Sequence, residues 1–231
     1  MRKVTICACA SRTFIDKEKV AQLAAAAKQA GMEVTVVGDL CELCEVNDDS
    51  VHEIARSTIV ACHTRAVKSL MAFAGETVGD SIDLRSGSLA DVLKALGIDD
   101  KVDDDGDALI RAMREEIAAF PSKPGEDAWY PTLDKEACAE CGKCLEFCPF
   151  GVYALVKDRV AVVEPQHCKN NCPACARQCP VSGIIFPKYE RSPINGGDEM
   201  EERAVCLDSR ELYGEVLRRR LVERKTRIIR N

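Results

Sequence analysis

Cys138-Ala-Glu-Cys141-Gly-Lys-Cys144-Leu-Glu-Phe-Cys148-Pro149 is echoed by Cys168-Lys-Asn-Asn-Cys172-Pro-Ala-Cys175-Ala-Arg-Gln-Cys179-Pro180. The first run has the spacing C-x2-C-x2-C-x3-C-P, which holds iron–sulfur cubes; the second carries one extra residue in its first gap. A cube presents four irons, and each needs one thiolate. Three cysteines in a tight turn reach three corners, and the fourth, held by its proline, is directed to the cube of the other half. By that rule Cys138, Cys141, Cys144 and Cys179 hold one [4Fe-4S] cluster, and Cys148, Cys168, Cys172 and Cys175 hold the other. Crossed ligation makes the two halves one folding unit with little core apart from its metal. Two four-cysteine zinc sites would also use all eight, but zinc ribbons favour paired C-x2-C knuckles. The extra residue within Lys169-Asn170-Asn171 should widen one loop.

The rest of the composition narrows the setting. The chain has 231 residues and 14 cysteines, about 6%, below the roughly 8–10% that marks a secreted disulfide scaffold. The start, Met1-Arg2-Lys3-Val4, has no apolar stretch resembling a secretory signal, and no run of about 18 apolar residues spans a bilayer. The expectation is a cytoplasmic protein with reduced thiols, in which clustered cysteines mean metal or redox chemistry rather than disulfides. A net charge of −6 and 5% aromatics argue against nucleic acid as a partner.

Five more cysteines lie at Cys7, Cys9, Cys41, Cys44 and Cys62, and Cys206 stands alone. Around the five, strand-like and helix-like segments alternate. Residues 3–8 and Glu33–Val37 read as strands, with a helix between them capped by Asp16 and stopped by Gly31. A short helix near 50–57, a strand at Thr58–Ala61, a helix at Arg65–Ala74, a strand at Ile82–Leu84 and a helix at Ser88–Leu96 follow. This alternation implies a parallel sheet. Strand ends then share one edge, where ligand sites collect, so cysteines distant in sequence can converge there. The same five could instead be buried small hydrophobes or a four-cysteine zinc site. A thioredoxin-like Cys41-x2-Cys44 pair is another reading, although no helix clearly starts from that motif.

The expected organisation is α/β: a small parallel-sheet domain over 1–119, a linker over 120–131, a cluster-binding α+β domain over 132–189, and a loop with a basic helical arm over 190–231. The acidic run from Asp99 to Asp107 fails the calcium-loop frame, since Lys101 and Ala112 fall at the first and twelfth positions. It reads as a solvated loop before a helix at 107–119. Trp129, Tyr130 and Pro131 should anchor the linker on the cluster-binding domain. The arm, with a helix over Ser209–Lys225, carries Arg218-Arg219-Arg220 and could dock an acidic partner. Cys206 reads as a buried small hydrophobe. His63 adjoins Cys62 and His167 adjoins Cys168, where either could tune a cluster or sit as an exposed polar neighbour.

Two resemblances sharpen this. Residues 132–189 resemble a 2[4Fe-4S] bacterial-type ferredoxin domain, down to Phe150-Gly151-Val152 and Ser182-Gly183-Ile184-Ile185 after the two prolines. Such domains transfer single electrons. The first 75 residues resemble the amino-terminal iron–sulfur domain of the heterodisulfide reductase flavoprotein, through Val4-Thr-Ile-Cys7-Ala-Cys9, Asp39-Leu-Cys41 and Val60-Ala-Cys62. Carried over residue by residue, Cys7, Cys9, Cys41 and Cys62 would hold a third [4Fe-4S] cluster; Cys44 has no counterpart. That flavoprotein continues into an FAD domain, whereas here no G-x-G-x-x-G, Walker or flavin fingerprint occurs.

The resemblances imply an iron–sulfur electron-transfer subunit of an anaerobic, heterodisulfide-reductase-like complex. It would relay electrons between partner cofactors, with a flavoprotein or other oxidoreductase subunits for redox partners and no catalytic residue of its own. The alternative is an enzyme whose amino-terminal cysteine site reduces a thiol, disulfide or other small substrate. Segment 132–189 carries seven Lys/Arg against six Asp/Glu, a near-neutral surface that suits a fixed subunit better than a steered, diffusing carrier.

Overall fold

The computed structural model of the chain describes residues 2–98 and 106–202. Its first part runs β1 (Lys3–Cys7), α1 (Lys17–Gln29), β2 (Glu33–Val37), α2 (Leu40–Glu45), α3 (Ser50–Ala55), β3 (Thr58–Ala61), α4 (Thr64–Phe73), β4 (Asp80–Asp83), α5 (Leu89–Leu96) and α6 (Gly106–Ala118). The four strands form one parallel sheet in the order β2-β1-β3-β4. Both faces are covered, as an all-parallel sheet requires. Val4, Ile6 and Val60 pack under α1, α5 and α6 with Val20, Leu23, Leu96 and Met113. The opposite face buries Cys7, Ile59 and Ala61 against Leu40, Ile54, Leu70 and Met71 of α2, α3 and α4. The chain leaves β1 toward β2, then crosses back to β3 and β4, so the sheet's switch point lies between β1 and β3.

The second part is smaller. β5 (Thr132–Leu133) pairs antiparallel with β8 (Ile184–Ile185), tying its start to its end. Between them lie α7 (Lys143–Phe147), the hairpin of β6 (Tyr153–Val156) and β7 (Arg159–Val162), a short 3-10 turn at Pro165–His167, and α8 (Ala174–Gln178). Lys157 and Asp158 turn the hairpin with φ of 50° and 61°, the left-handed pair that matches strand twist. Its core gathers Val152, Tyr153, Ala176, Ile184 and Phe186, with Trp129 and Ile194 contributed from outside the repeats.

Four expectations change. A helix does run through the Cys41/Cys44 motif: Asp39 accepts hydrogen bonds from the Cys41 and Glu42 amides and so caps α2. The fourth strand is Asp80–Asp83, not Ile82–Leu84, because it pairs from Thr58↔Asp80 onward. The linker is exposed only over 121–126; Asp127–Pro131 are buried. There Trp129 stacks on Phe186 at 5.2 Å while Tyr130 meets Phe73 of α4 at 5.0 Å, so the pair grips both parts rather than one. Residues 192–197 are a loop as expected, but a buried one, seated where Gly196 faces Ala66 of α4. The acidic run over 99–105, Cys206 and the basic arm lie outside the described residues.

Candidate metal centres

In the second part the cysteines are set by two matching turns. The residue before the second cysteine is left-handed in each repeat (Glu140, φ 50°; Asn171, φ 58°), and so is the one two past each Cys-Pro (Gly151, φ 70°; Ser182, φ 49°). α7 and α8 then carry the third cysteine of each run, Cys144 and Cys175. The result is two open-sided hollows. One, of about 350 Å³, is lined by Cys138, Cys141, Cys144 and, from the second repeat, Cys179. The other, of about 660 Å³, is lined by Cys168, Cys172, Cys175 and, from the first repeat, Cys148.

Four of these thiols, Cys138, Cys144, Cys168 and Cys175, are poor anions by themselves, raised first by burial. Burial pushes Cys144 up to about 11 and Cys168 and Cys175 up to about 12. Neighbouring thiols add to each shift, since like charges crowd together. Thiolates crowded together in these part-buried hollows need a cation among their sulfurs, which bound iron would supply. Donors are already aimed at two sulfurs: the Tyr153 hydroxyl lies 3.1 Å from Cys175 Sγ, and the Gly183 amide 3.2 Å from Cys179 Sγ. None of the cysteines among the described residues is in a disulfide. The donor set fits a polynuclear cluster.

The first part gathers its cysteines at the carboxyl edge of the sheet. Cys7 ends β1, and Cys9 follows in the left-handed region at φ 48°. Cys41 sits in the first turn of α2, and Cys62 follows β3. The Leu40 amide points at Cys7 Sγ at 3.4 Å. After burial, which raises all four thiols, Cys7 feels Cys9 and Cys62, and Cys41 feels Cys62 and Cys7. These four thus share one neighbourhood at the switch point. Cys44, pushed up to about 12 by burial and then by Asp39, faces the α2–α4 core and shows no such coupling to them.

This group has a collar of cations that sequence reasoning missed. Lys17 Nζ donates to the carbonyls of Ala8, Cys9 and Arg12 at 2.8, 2.6 and 2.8 Å. Arg85 donates to Pro187, Tyr189 and Glu190 carbonyls, and Lys188 is buried against Asp39 and Asp127. All three cations act on Cys9. Burial works against the Lys188 charge, but Cys41, Asp39 and Asp127 together hold it well above the ordinary lysine value. The indole N–H of Trp129, buried in the wall of the small cavity it shares with Cys41 and Lys188, finds no acceptor among the described residues. Four thiols, three cations and an orphaned donor fit an anionic cluster. Only Asp39, two positions before Cys41 in the Asp39-Leu-Cys41 stretch, stood near a cysteine in the sequence; Lys17, Arg85 and Lys188 carried no signal.

The two cysteine regions meet. Cys168 packs against both the α2–α4 core and the core of the second part. Tyr130 Oη donates to the Cys41 carbonyl at 2.7 Å. The extra loop residue also bridges: Asn171 Oδ1 accepts from Arg12, and Asn170 donates to the Gly125 carbonyl. Arg65 of α4 reaches Asp134 and the Ser182 carbonyl. His63 Nδ1 lies 2.9 Å from Asp83 Oδ2, beside Cys62; His167 closes the 3-10 turn before Cys168.

Comparison with known proteins agrees with this geometry. Residues 130–180 match the family model described as a 4Fe-4S dicluster domain. An uncharacterized ferredoxin of Methanocaldococcus jannaschii is 39% identical over 82 residues, 35% of this chain and 54% of that protein. The pyruvate synthase subunit PorD of Methanothermobacter marburgensis is 39% identical over 61 residues, 26% of this chain and 65% of the subunit. The chain thus spans about half and about two thirds of those two relatives. PorD of M. jannaschii is 33% identical over 84 residues, 32% of this chain and 96% of the subunit. No helix among the described residues is long and apolar enough to cross a membrane. Through this segment the chain belongs to the 4Fe-4S dicluster ferredoxins, iron–sulfur proteins of the electron-carrying kind.

Proposed function

We propose that the chain carries three [4Fe-4S] clusters in series and works as an electron-relaying subunit of an oxidoreductase complex. In this reading Cys138, Cys141, Cys144 and Cys179 hold the outer cluster, Cys148, Cys168, Cys172 and Cys175 the middle one, and Cys7, Cys9, Cys41 and Cys62 the third. The observation that carries it is the convergence of four thiols at the switch point, directly behind the hollow that contains Cys168. Cys141 is exposed, which favours the outer cluster as the port to a partner. The thiolates are ligands rather than nucleophiles, and the clusters supply one-electron transfer when bound. The PorD similarity supports a fixed subunit, and the amino-terminal arrangement favours a heterodisulfide-reductase-like complex with a flavoprotein partner. We place the sheet domain at 1–119 and the dicluster domain at 132–189, with Asp127–Pro131 as a clasp between them.

Iron and sulfide counts on anaerobically purified protein, with EPR of the reduced state, test this. About twelve irons per chain is the expected result and about eight overturns the third cluster. Cys62→Ser should lose about four irons and spare the dicluster signals. One observation favours the enzymatic alternative: a polar cleft of about 880 Å³ opens beside Cys62, lined by His63, Asp83, Arg85, Ser86 and the 190–201 loop. Turnover of a disulfide by the isolated chain would establish it over the pure carrier.

A further inference from the structure

Lys188 is the most deeply buried cation of the collar, and it comes from the dicluster side of the molecule. Its side chain is 4% exposed; Nζ lies 2.5 Å from Asp39 Oδ2 and 2.9 Å from Asp127 Oδ2, whose side chains are 7% and 1% exposed. Arg12 Nε meets the same Asp127 oxygen at 2.9 Å. Two cations and two carboxylates, drawn from the loop after β1, the cap of α2, the clasp and the segment after β8, thus form one chain, buried except at Arg12. Such networks seldom stabilise more than the apolar groups that could replace them, so fold stability gives little reason for a lysine here. Position gives a better one. Lys188 and Cys41 line the same small cavity, and Asp39 holds the Cys41 amide at 3.0 Å.

We propose that Lys188 is a positioning residue that sets the reduction potential of the amino-terminal cluster, with Asp39 as its counterweight; this rests on the three-cluster reading above. A reduced cluster carries one more negative charge than an oxidised one. A fixed cation in a low-dielectric wall favours that extra electron, and a fixed carboxylate opposes it. The dicluster domain delivers the cation, so docking of the two domains raises the potential of the amino-terminal cluster and makes it the better acceptor. A merely structural salt bridge predicts something different: removing either partner would damage the site in the same way.

The test is an EPR-monitored redox titration of the full chain in wild type, Lys188→Met, Lys188→Arg and Asp39→Asn, with iron counted in each. The expected result is a shift of the amino-terminal signal to lower potential in K188M, a smaller shift in K188R, and a shift to higher potential in D39N, which keeps the helix cap. The dicluster signals should hold their potentials. Shifts of the same sign in K188M and D39N, or no shift with all irons retained, overturn the proposal. If K188M sheds iron, D39N decides: a higher potential supports the proposal and an unchanged or lower one overturns it. Wild-type protein with about eight irons overturns the three-cluster reading itself, and this inference falls with it.

Discussion

The two cysteine regions are built on opposite principles. In the sheet domain the thiols sit at strand ends and in α2, beside a core that other residues largely supply: Ile6, Leu23, Ile59, Leu70 and Met71 are fully buried. In the dicluster domain the strands are two to four residues long and the helices five, and α7 buries no residue at all. Five-residue helices do not stand alone in water, and the cysteine turns hold left-handed residues that cost free energy. One region is a fold that carries thiols along one edge of its sheet. The other has little regular structure apart from its cysteine turns, so its folding should depend on metal.

The largest break in that comparison should come from removing iron. Chelation of the anaerobic protein is expected to abolish amide protection across 132–185 while strands β1 and β3 stay protected, as read by hydrogen–deuterium exchange. If protection collapses in both regions together, the sheet domain also depends on metal. Next in size, Leu70→Ala in the iron-free chain should destabilise the sheet domain by about 2–5 kcal/mol, since Leu70 is fully buried between α4 and the sheet. A denaturant melt followed by helix signal measures it, and a loss below about 1 kcal/mol would mean the core relaxes around the gap.

Acid probes the sheet domain further. Burial works to raise the Asp83 carboxyl, but hydrogen bonds from His63 and Ser86 prevail and hold it below the usual aspartate range. A depressed carboxylate stabilises fully above its unfolded value, near pH 3.9, and loses that contribution as pH falls through the folded value. The iron-free sheet domain should therefore weaken below about pH 4. Asp83→Asn should flatten that limb and lower stability at neutral pH by roughly 1.5 kcal/mol, allowing for its partial exposure. An unchanged acid limb in the variant would assign the acid sensitivity to other carboxylates.

How much of this was legible in the sequence follows the same divide. The dicluster cysteines announce themselves because ligand spacing is local: three ligands fall within seven residues in the first run and eight in the second, and the chain need only turn. Strands β1 and β3 were legible because burial on both faces leaves β-branched runs. What stayed hidden was non-local. Lys188 follows Ile184-Ile-Phe-Pro with nothing to say that its partner is Asp39, 149 positions away. Trp129 and Tyr130 look like linker anchors, and only the packing reveals that their rings face different cores. The helix at Leu40–Glu45 was missed because it is short and its cap, Asp39, also reads as the end of a strand turn.

The smallest effect tests whether the two regions are energetically separate at all. Ser88 caps α5 through a reciprocal box: its hydroxyl accepts from the Asp91 amide at 3.1 Å, and the Asp91 carboxylate accepts from the Ser88 amide at 3.3 Å. Removing such a cap costs about 1 kcal/mol, and α5 packs on the α1 face of the sheet, away from Cys168 and the clasp. Ser88→Ala should therefore lower the melting midpoint of the iron-free sheet domain slightly. It should leave iron content, the dicluster EPR signals and exchange across 132–185 unchanged in the loaded protein. A change in the dicluster signals would mean that strain on the α1 face reaches the clasp through the sheet. The domains would then share one cooperative unit, and iron binding in the second would stabilise the first by the same linkage.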